Sequence, residues 1–574
     1  MFGFMLAGIL LIAILVGTIA GLASAGGEKA EKPENPSILV LHFDQPITDR
    51  GDDNPLRGLS AGNFSTEKSP GLFDICNAIR EAANDENIKA IFIRTGSVNT
   101  GMASAKEIRN TLRDFKKSGK KILVYSDVYS QSGYYLASVA DKVYLNPKGA
   151  IELKGLYSNL VFFKNALEKL DVQPEIIRHG KFKSAVEPFM QDHMSESNRL
   201  QLRTLQRSVW TIMRKEMAES RKMSEENLDR ICENLSVRNA DDAKKYQLVD
   251  NLLYYDQVLD ELKNIAADDD DPAFVSMEKY CAAVKESLPG EGRSRIALIY
   301  ASGEIEDGKG DDRSVGGDTY AKLIRDARLD KKIKAIVLRV NSPGGSALAS
   351  EVMWREVALA KKVKPVVVSM GDLAASGGYY ISCDASEIVA NPLTITGSIG
   401  VFGLMFHAGN FFKNKLGVTF DTVKTHPFAG IGSMTHPLTD AERSIMQASV
   451  EEVYATFTSR VAKGRKIQQA QVDSIGQGRV WLGADAKKLQ LVDRFGGLHE
   501  AIERAASLAK LDGYKVKEYP LEKNPLEKIL SGMDDDLEAR WVEKNMEKMA
   551  PVYSSFRRLM HHNGILARME YEFY

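Results

Sequence analysis

From Ser37 onward the chain alternates short apolar runs with longer stretches whose apolar residues recur at helical spacing. Ser37-Ile-Leu-Val-Leu-His42, Ala90 to Ile93 and Lys121 to Tyr125 read as strands in the first half. Arg295-Ile-Ala-Leu-Ile-Tyr300, Ala335 to Val340 and Pro365 to Met370 restate that order in the second. Helical stretches of roughly 10–15 residues separate them, and this alternation predicts an α/β fold of βαβ units around mostly parallel sheets. Ser195 to Ala218 and Thr439 to Gly464 are charged and helical, and are expected outside the sheets. Residues 513–574, rich in charge and methionine, are expected to be a helical tail over a core or an interface. At the other end, Met1 to Ala25 carries no charged side chain. About 20 apolar residues cross a bilayer as a helix, and Phe2 to Ala23 supplies that length. Ala23-Ser24-Ala25 resembles a signal-peptide cleavage site, but the apolar run exceeds the usual ~7–15 residues of such a peptide. Residues 1–25 are therefore read as one transmembrane helix, an uncleaved anchor, with 26–36 as a solvated linker. No Lys or Arg precedes the run to set its orientation. The bulk of the chain is expected on the extracytoplasmic side of the cytoplasmic membrane.

The two halves are one unit written twice. Asp85 to Pro147 aligns without a gap on Asp330 to Pro392, at a constant offset of 245. Within it Ile88-Lys-Ala-Ile91 matches Ile333-Lys-Ala-Ile336, Arg94 matches Arg339, and Gly133-Tyr134-Tyr135 matches Gly378-Tyr379-Tyr380. Further on, Ala243-Lys-Lys-Tyr-Gln-Leu-Val-Asp250 pairs with Ala486-Lys-Lys-Leu-Gln-Leu-Val-Asp493 at an offset of 243. Two blocks in the same order at nearly the same offset define a tandem duplication, 37–285 and 294–512.

Composition narrows the class. A length of 574 residues at ~150 per domain leaves room for two to four domains. Lys plus Arg total 76 against 77 Asp plus Glu, so no general basic face is available for nucleic acid. Four widely spaced cysteines without a CxxC pair argue against a disulfide scaffold or a zinc ribbon.

Candidate chemistry gathers at strand ends in the second half. The third strand there runs into Gly371-Asp-Leu-Ala-Ala-Ser376-Gly377-Gly378-Tyr-Tyr380. A serine at such a turn is presented sharply, with small neighbours and a helix amino end that favours developing negative charge. The bland alternative is a close-packed turn. After the second strand comes Asn341-Ser342-Pro343-Gly344-Gly345-Ser346, whose glycines can direct a backbone N–H into a cleft or merely form a tight turn. Adjacent βα ends at the carboxyl edge of a parallel sheet are where α/β sites form. A nucleophilic serine needs a base, and none of the nine histidines stands in a recognisable triad context. A buried lysine is the alternative, because burial favours its neutral form. Arg178-His-Gly-Lys181-Phe182-Lys183-Ser-Ala185-Val186-Glu-Pro-Phe189 offers two lysines among apolar neighbours, with two solvated lysines as the alternative.

Together these segments resemble the long, tandem form of the signal peptide peptidase A (protease IV) family of Ser/Lys peptidases, within the Clp-protease/crotonase fold. GKFKSAVEPF in the first half, and NSPGGS, AASGGYY and TGSIGVFG in the second, carry the resemblance. It implies Ser376 as nucleophile, Lys183 rather than Lys181 as general base, and Ser398 as the residue that orients the lysine. It also implies backbone N–H groups of Gly377 and of Gly344 or Gly345 as oxyanion donors. The repeat adds a division of labour: Ser376 aligns with Gln131 and Gly344-Gly345 with Asn99-Thr100, while Ser132, one place away, reads as a remnant. The region loosely matching Lys183 in the second half, Lys424 to Ala429, keeps no such lysine motif. The resemblance implies proteolysis of remnant signal peptides and other short hydrophobic peptides, a homotetramer, and no metal or organic cofactor. A crotonase-type acyl-CoA enzyme, a non-catalytic membrane scaffold and a Ser-His hydrolase are the rivals.

Overall fold

The computed structural model describes residues 31–51, 69–266, 273–287, 294–311, 313–521 and 564–569. In the first unit six strands form a wholly parallel sheet in the order Asn251–Leu252, Lys142–Ile151, Lys121–Tyr129, Ile88–Arg94, Ser37–Leu41, Ala273–Ser276. Alternate residues face opposite sides of a strand, and both sides here are covered. Leu39, Leu41, Ile91 and Ile93 pack with Ile75 and Ile79 of the helix Leu72–Asn84 and Ile108 and Leu112 of the helix Met102–Phe115. Ile38 and Phe92 pack on the other side with Val258 and Leu262 of the helix Tyr255–Ala266. Near-continuous apolar strands are what a doubly covered parallel sheet demands.

The second unit repeats the plan. Arg295–Ser302, Ile333–Ser342 and Val366–Ala375 run parallel, with Lys515–Tyr519 added beside the first of them. Val366–Ala375 divides its outer edge between two partners, Glu387–Ala390 along its first half and Ile395–Gly397 along its second. The duplication extends to single contacts. Tyr134 Oη donates to the Leu248 carbonyl at 2.8 Å and Tyr379 Oη to the Leu491 carbonyl at 3.0 Å. Asp250 accepts from the Val143 N–H and Asp493 from the Ile388 N–H, each at 2.7 Å. The repeated Gly-Tyr-Tyr and Leu-Val-Asp blocks thus lock the same helix–strand junction twice. Ser195 and Thr439 cap the 26-residue helices Glu196–Arg221 and Asp440–Arg465 by accepting from the N–H three residues on.

A third sheet joins the halves. Its order is Ser314–Gly316, Glu304–Glu306, Gly344–Ser346, Gly564–Arg568, Val401–His407, Gln173–His179, and its last strand comes from the first unit. Gln173–His179 lies antiparallel to Val401–His407, with His179 opposite Val401 and Gln173 opposite His407. The tail departs from the helical expectation where it is described: Lys515–Tyr519 and Gly564–Arg568 are strands. Each fills a sheet edge or gap, which composition does not register. Residues 522–563 and 570–574 lie outside the described residues, as do the apolar residues 1–25 and residues 26–30 of the linker. Among the described residues no helix is long and apolar enough to cross a membrane.

Candidate active site

Val366–Ala375 ends at Ser376, which begins the helix Gly377–Ser382. Ser376 has φ 57 and ψ −114, a conformation that is strained for a residue with a side chain. Two bonds hold it there. Its N–H donates to the Gly397 carbonyl at 2.8 Å, and its own carbonyl accepts from the Tyr380 N–H at 2.8 Å. The turn presents the hydroxyl beside the helix amino end, and the residue is 0% exposed.

Lys183 arrives from the other unit. After Gln173–His179 has paired with Val401–His407, Gly180 turns the chain with φ +102 and packs against Gln477. The Phe182 N–H then donates to the Gln477 carbonyl at 3.0 Å. This delivers Lys183 at 1% exposure, with Nζ donating to Ser376 Oγ at 2.8 Å. The same Nζ donates to Ser398 Oγ at 3.1 Å and to the Ser398 carbonyl at 3.3 Å. Ser398 follows Ile395–Gly397 and also carries a positive φ of 51, fixed by its N–H to the Arg479 carbonyl at 2.8 Å. Lys181, two residues earlier, is exposed and lies over the Phe182 ring. Both units supply one half of the pair, and both halves belong to a single chain.

Of the two glycines after Pro343, Gly344 faces Ser376's helix. A Cβ on Gly344 would stand 2.5 Å from the Gly377 nitrogen and 2.1 Å from the Ala567 carbonyl oxygen. Its φ is +95, and its N–H rests on Ser342 Oγ at 3.1 Å. Gly345 instead packs on Ile305, whose carbonyl oxygen is 2.0 Å from the position of a Cβ. The counterpart in the first unit is closed to such chemistry. Gln131 accepts from the Lys154 and Gly155 N–H groups at 3.1 and 2.9 Å and donates to the Gly155 carbonyl at 3.1 Å. Ser132 meets Ser130 Oγ at 3.2 Å. A cavity of about 730 Å³ opens at that edge, lined by Arg94, Asp127, Ser130 and Asn146 among others, without a serine–lysine pair. Lys424 to Ala429 is exposed. Among the described residues no histidine ring is hydrogen-bonded to Ser376, and His179 is taken up by Glu451 at 2.6 Å and by stacking on Tyr454. No group of three or more His, Cys, Asp and Glu side chains among the described residues is arranged to hold a metal ion.

The join between units is electrostatic behind the site. Arg339, 1% exposed, donates to Asp49 at 2.7 Å and to Ser369 Oγ at 2.9 Å, with Glu107 at 3.6 Å. Burial opposes its charge, yet Asp49 and Glu107 hold the guanidinium above its ordinary pKa. Asp372, four residues before Ser376, accepts from the Ser104 N–H at 2.9 Å and from its hydroxyl at 2.5 Å. Burial raises the Asp372 carboxyl, with the Ser104 bonds acting in the opposite direction.

Several contributors lie outside the residues to which the resemblance assigns a role. Gly400 and Gly478 make room for the lysine stem: a Cβ on Gly478 would lie 2.6 Å from Lys183 Cβ, and one on Gly400 3.3 Å from Lys183 Cδ. Gln201 ties the helix Glu196–Arg221 to the site by donating to Ser184 Oγ at 3.3 Å and accepting from the Val480 N–H at 3.0 Å. The TGSIG glycine hinted at Gly400. Nothing local marks Gln201, because its partners are 17 and 279 residues away.

Comparison with known proteins agrees with this duplicated architecture. The model of Peptidase family S49 matches twice, at residues 114–268 and 358–512. Protease 4 of Salmonella typhi is 38% identical over 544 residues, covering 92% of this chain and 87% of that protein. Protease 4 of Haemophilus influenzae is 35% identical, covering 84% and 81% respectively. The chloroplastic serine protease SPPA of Arabidopsis thaliana is 32% identical, covering 79% and 68%. With the family model matched in both repeats and relatives aligned through nearly the whole length, the chain belongs to peptidase family S49 and is a serine peptidase.

Proposed function

We propose that hydrolysis proceeds through a Ser376–Lys183 dyad on a Clp-protease/crotonase-type scaffold. The 2.8 Å approach of Lys183 Nζ to Ser376 Oγ, made across the two units in a water-poor setting, is the observation that carries the reading. Removing an ammonium from water favours the neutral amine, the form a general base requires. Ser376 Oγ attacks the scissile carbonyl carbon while its proton passes to Lys183 Nζ. The oxyanion sits against the N–H group of Gly377, at the positive end of the helix Gly377–Ser382 and beside the Gly344–Gly345 turn. As the C–N bond breaks, Lys183 returns the proton to the leaving amine, leaving an acyl ester on Ser376. Water, deprotonated by the same lysine, hydrolyses that ester. Ser398 accepts from Nζ and keeps it aimed at Oγ.

The substrates are remnant signal peptides and other short hydrophobic peptides. The apolar stretch 1–25 tethers the enzyme to the bacterial cytoplasmic membrane with the catalytic units outside, and the chains assemble as a homotetramer. A fluorophosphonate probe tests the dyad: the adduct should map to Ser376 by mass spectrometry and disappear in Lys183→Ala. Labelling that persists in Lys183→Ala refutes the lysine's role and returns the histidine hydrolase. Membrane fractionation of the full chain against one starting at residue 31 tests the tether.

A further inference from the structure

The contact between Lys183 and Ser376 spans two units, so the reach of the lysine depends on what fixes its backbone against the second unit. Both of its neighbours are held, and both ties end on one second-unit loop. Upstream, the Phe182 N–H donates to the Gln477 carbonyl at 3.0 Å. Downstream, Gln201 Nε2 donates to Ser184 Oγ at 3.3 Å, while Gln201 Oε1 accepts from the Val480 N–H at 3.0 Å. Between those points Gly478 packs on Lys183, and the Arg479 carbonyl accepts from the Ser398 N–H at 2.8 Å. Residues 477–480 therefore seat the lysine and Ser398 together.

The loop needs support of its own. Gln477 and Gly478 have φ of 54 and 77, and a left-handed glutamine persists only where its surroundings impose it. Tyr454, buried on the helix Asp440–Arg465, imposes it. Its hydroxyl accepts from the Gln477 N–H at 3.3 Å and donates to Asp473 Oδ1 at 2.7 Å. Gln477 Nε2 donates to the same carboxylate oxygen at 2.7 Å. The Tyr454 ring stacks on His179 with centroids 3.7 Å apart, and His179 meets Glu451 of the same helix at 2.6 Å. His179 lies four residues before Lys183. Tyr454 thus touches both the arm that brings the lysine and the loop that receives it. Gln201, 1% exposed, closes the downstream end.

We propose that Tyr454 and Gln201 are positioning residues of the peptidase reaction, clamping the backbone on either side of Lys183 so that Nζ stays aimed at Ser376 Oγ. These roles rest on Lys183 being the base. A general base acts from about 2.6–3.2 Å, and a misplacement of about 1 Å can lower the rate by about 10²-fold. At 2.8 Å the lysine has little room to drift. Loosening either tie lets the stem move and admits water, which stabilises the ammonium over the neutral amine. Rate and pH dependence should therefore change together. The charged groups around the arm, Arg178, Glu451, Asp473 and Arg479, are left in the chain by a change at Tyr454 or Gln201, so a moved profile reports the surroundings of the lysine. A tie that served the fold alone would change stability without moving the profile.

Two variants of the full chain break the ties separately. Tyr454→Phe removes the hydroxyl and keeps the ring against His179, and Gln201→Met keeps the volume and removes both hydrogen bonds. Steady-state hydrolysis of a short hydrophobic peptide is followed across pH for each, beside thermal unfolding and beside Lys183→Met. Each variant should lower kcat by about tenfold, a part of the roughly 10²–10⁴-fold that a general base supplies, with KM unchanged. The rise of the pH–rate profile should move to higher pH. In the Lys183→Met background neither change should lower the residual rate further, because the group they aim is gone. The ties are independent, so if one variant misfolds the other decides. A folded variant with the wild-type kcat, or with a lowered kcat and an unmoved profile, overturns the positioning roles and leaves the dyad intact. Lys183→Met working at the wild-type rate overturns the dyad and the positioning roles with it.

Discussion

Replacing Gly344 with alanine should abolish most of the activity while leaving a folded enzyme. The added methyl would stand 2.5 Å from the Gly377 nitrogen and 2.1 Å from the Ala567 carbonyl oxygen, far inside a normal contact of about 3.5 Å. It would occupy the volume that a reacting carbonyl oxygen needs. At φ +95 an alanine also carries about 1–3 kcal/mol of backbone strain, which lowers stability without touching chemistry. Loss of one oxyanion contact lowers kcat by about 10²–10³-fold. Gly417→Ala separates the two effects: Gly417 has φ +69 with nothing within 4 Å of a Cβ, so it incurs strain alone. Steady-state hydrolysis of a hydrophobic peptide, beside thermal unfolding of each variant, measures both quantities. Gly417→Ala should keep its kcat and lose a little stability, whereas Gly344→Ala should lose both. A folded Gly344→Ala enzyme retaining more than about a tenth of the wild-type kcat would refute the oxyanion assignment.

Ser376→Ala should lower kcat by at least about 10⁴-fold, while Ser132→Ala, in a first-unit turn already closed by Gln131, should stay near wild type in the same assay. Lys183→Met should lose about 10²–10⁴-fold in rate, and Lys183→Arg should be no better because guanidinium stays protonated; Lys181→Ala should remain active. The pH–rate profile should rise as the lysine loses its proton, and a rise that survives in Lys183→Met would point to another base. Arg339→Met leaves Asp49 and Glu107 buried without their cation, and urea unfolding should show a loss of about 3–5 kcal/mol. Burial raises the Asp372 carboxyl, so its contribution to stability is fully present below the ordinary carboxylate pKa and is lost as pH rises through the raised value. Asp372→Asn cannot ionise and should gain stability relative to wild type over that window. Mixed oligomers of Lys183→Ala and Ser376→Ala chains should stay inactive, since lysine and serine meet within one chain; recovered activity in purified mixtures would require pairing between chains.

What the sequence determined by itself was whatever a local pattern or an internal repeat can carry. Apolar runs alternating with helical stretches sufficed for two parallel α/β units, because strand and helix periodicities are short-range. The constant offset exposed the duplication, and the loss of Ser376's counterpart at Gln131 marked the second unit as the one with a serine at its turn. Lys183 could be singled out by its motif, but composition around it favoured a solvated lysine. Only tertiary structure decided its surroundings, since its partners Ser376 and Ser398 are 193 and 215 residues away. The different surroundings of Gly344 and Gly345, set by φ and by which carbonyl each glycine faces, were likewise not legible in the motif. Gly400, Gly478 and Gln201 acquire their roles through close approach of segments that share no pattern. The tail is the clearest case. Residues 564–568 read as part of a helical segment, yet they form a strand because two sheet edges with open backbone groups lie ready to pair with them. Edge pairing depends on what stands beside a segment in space, and no window of sequence contains that information.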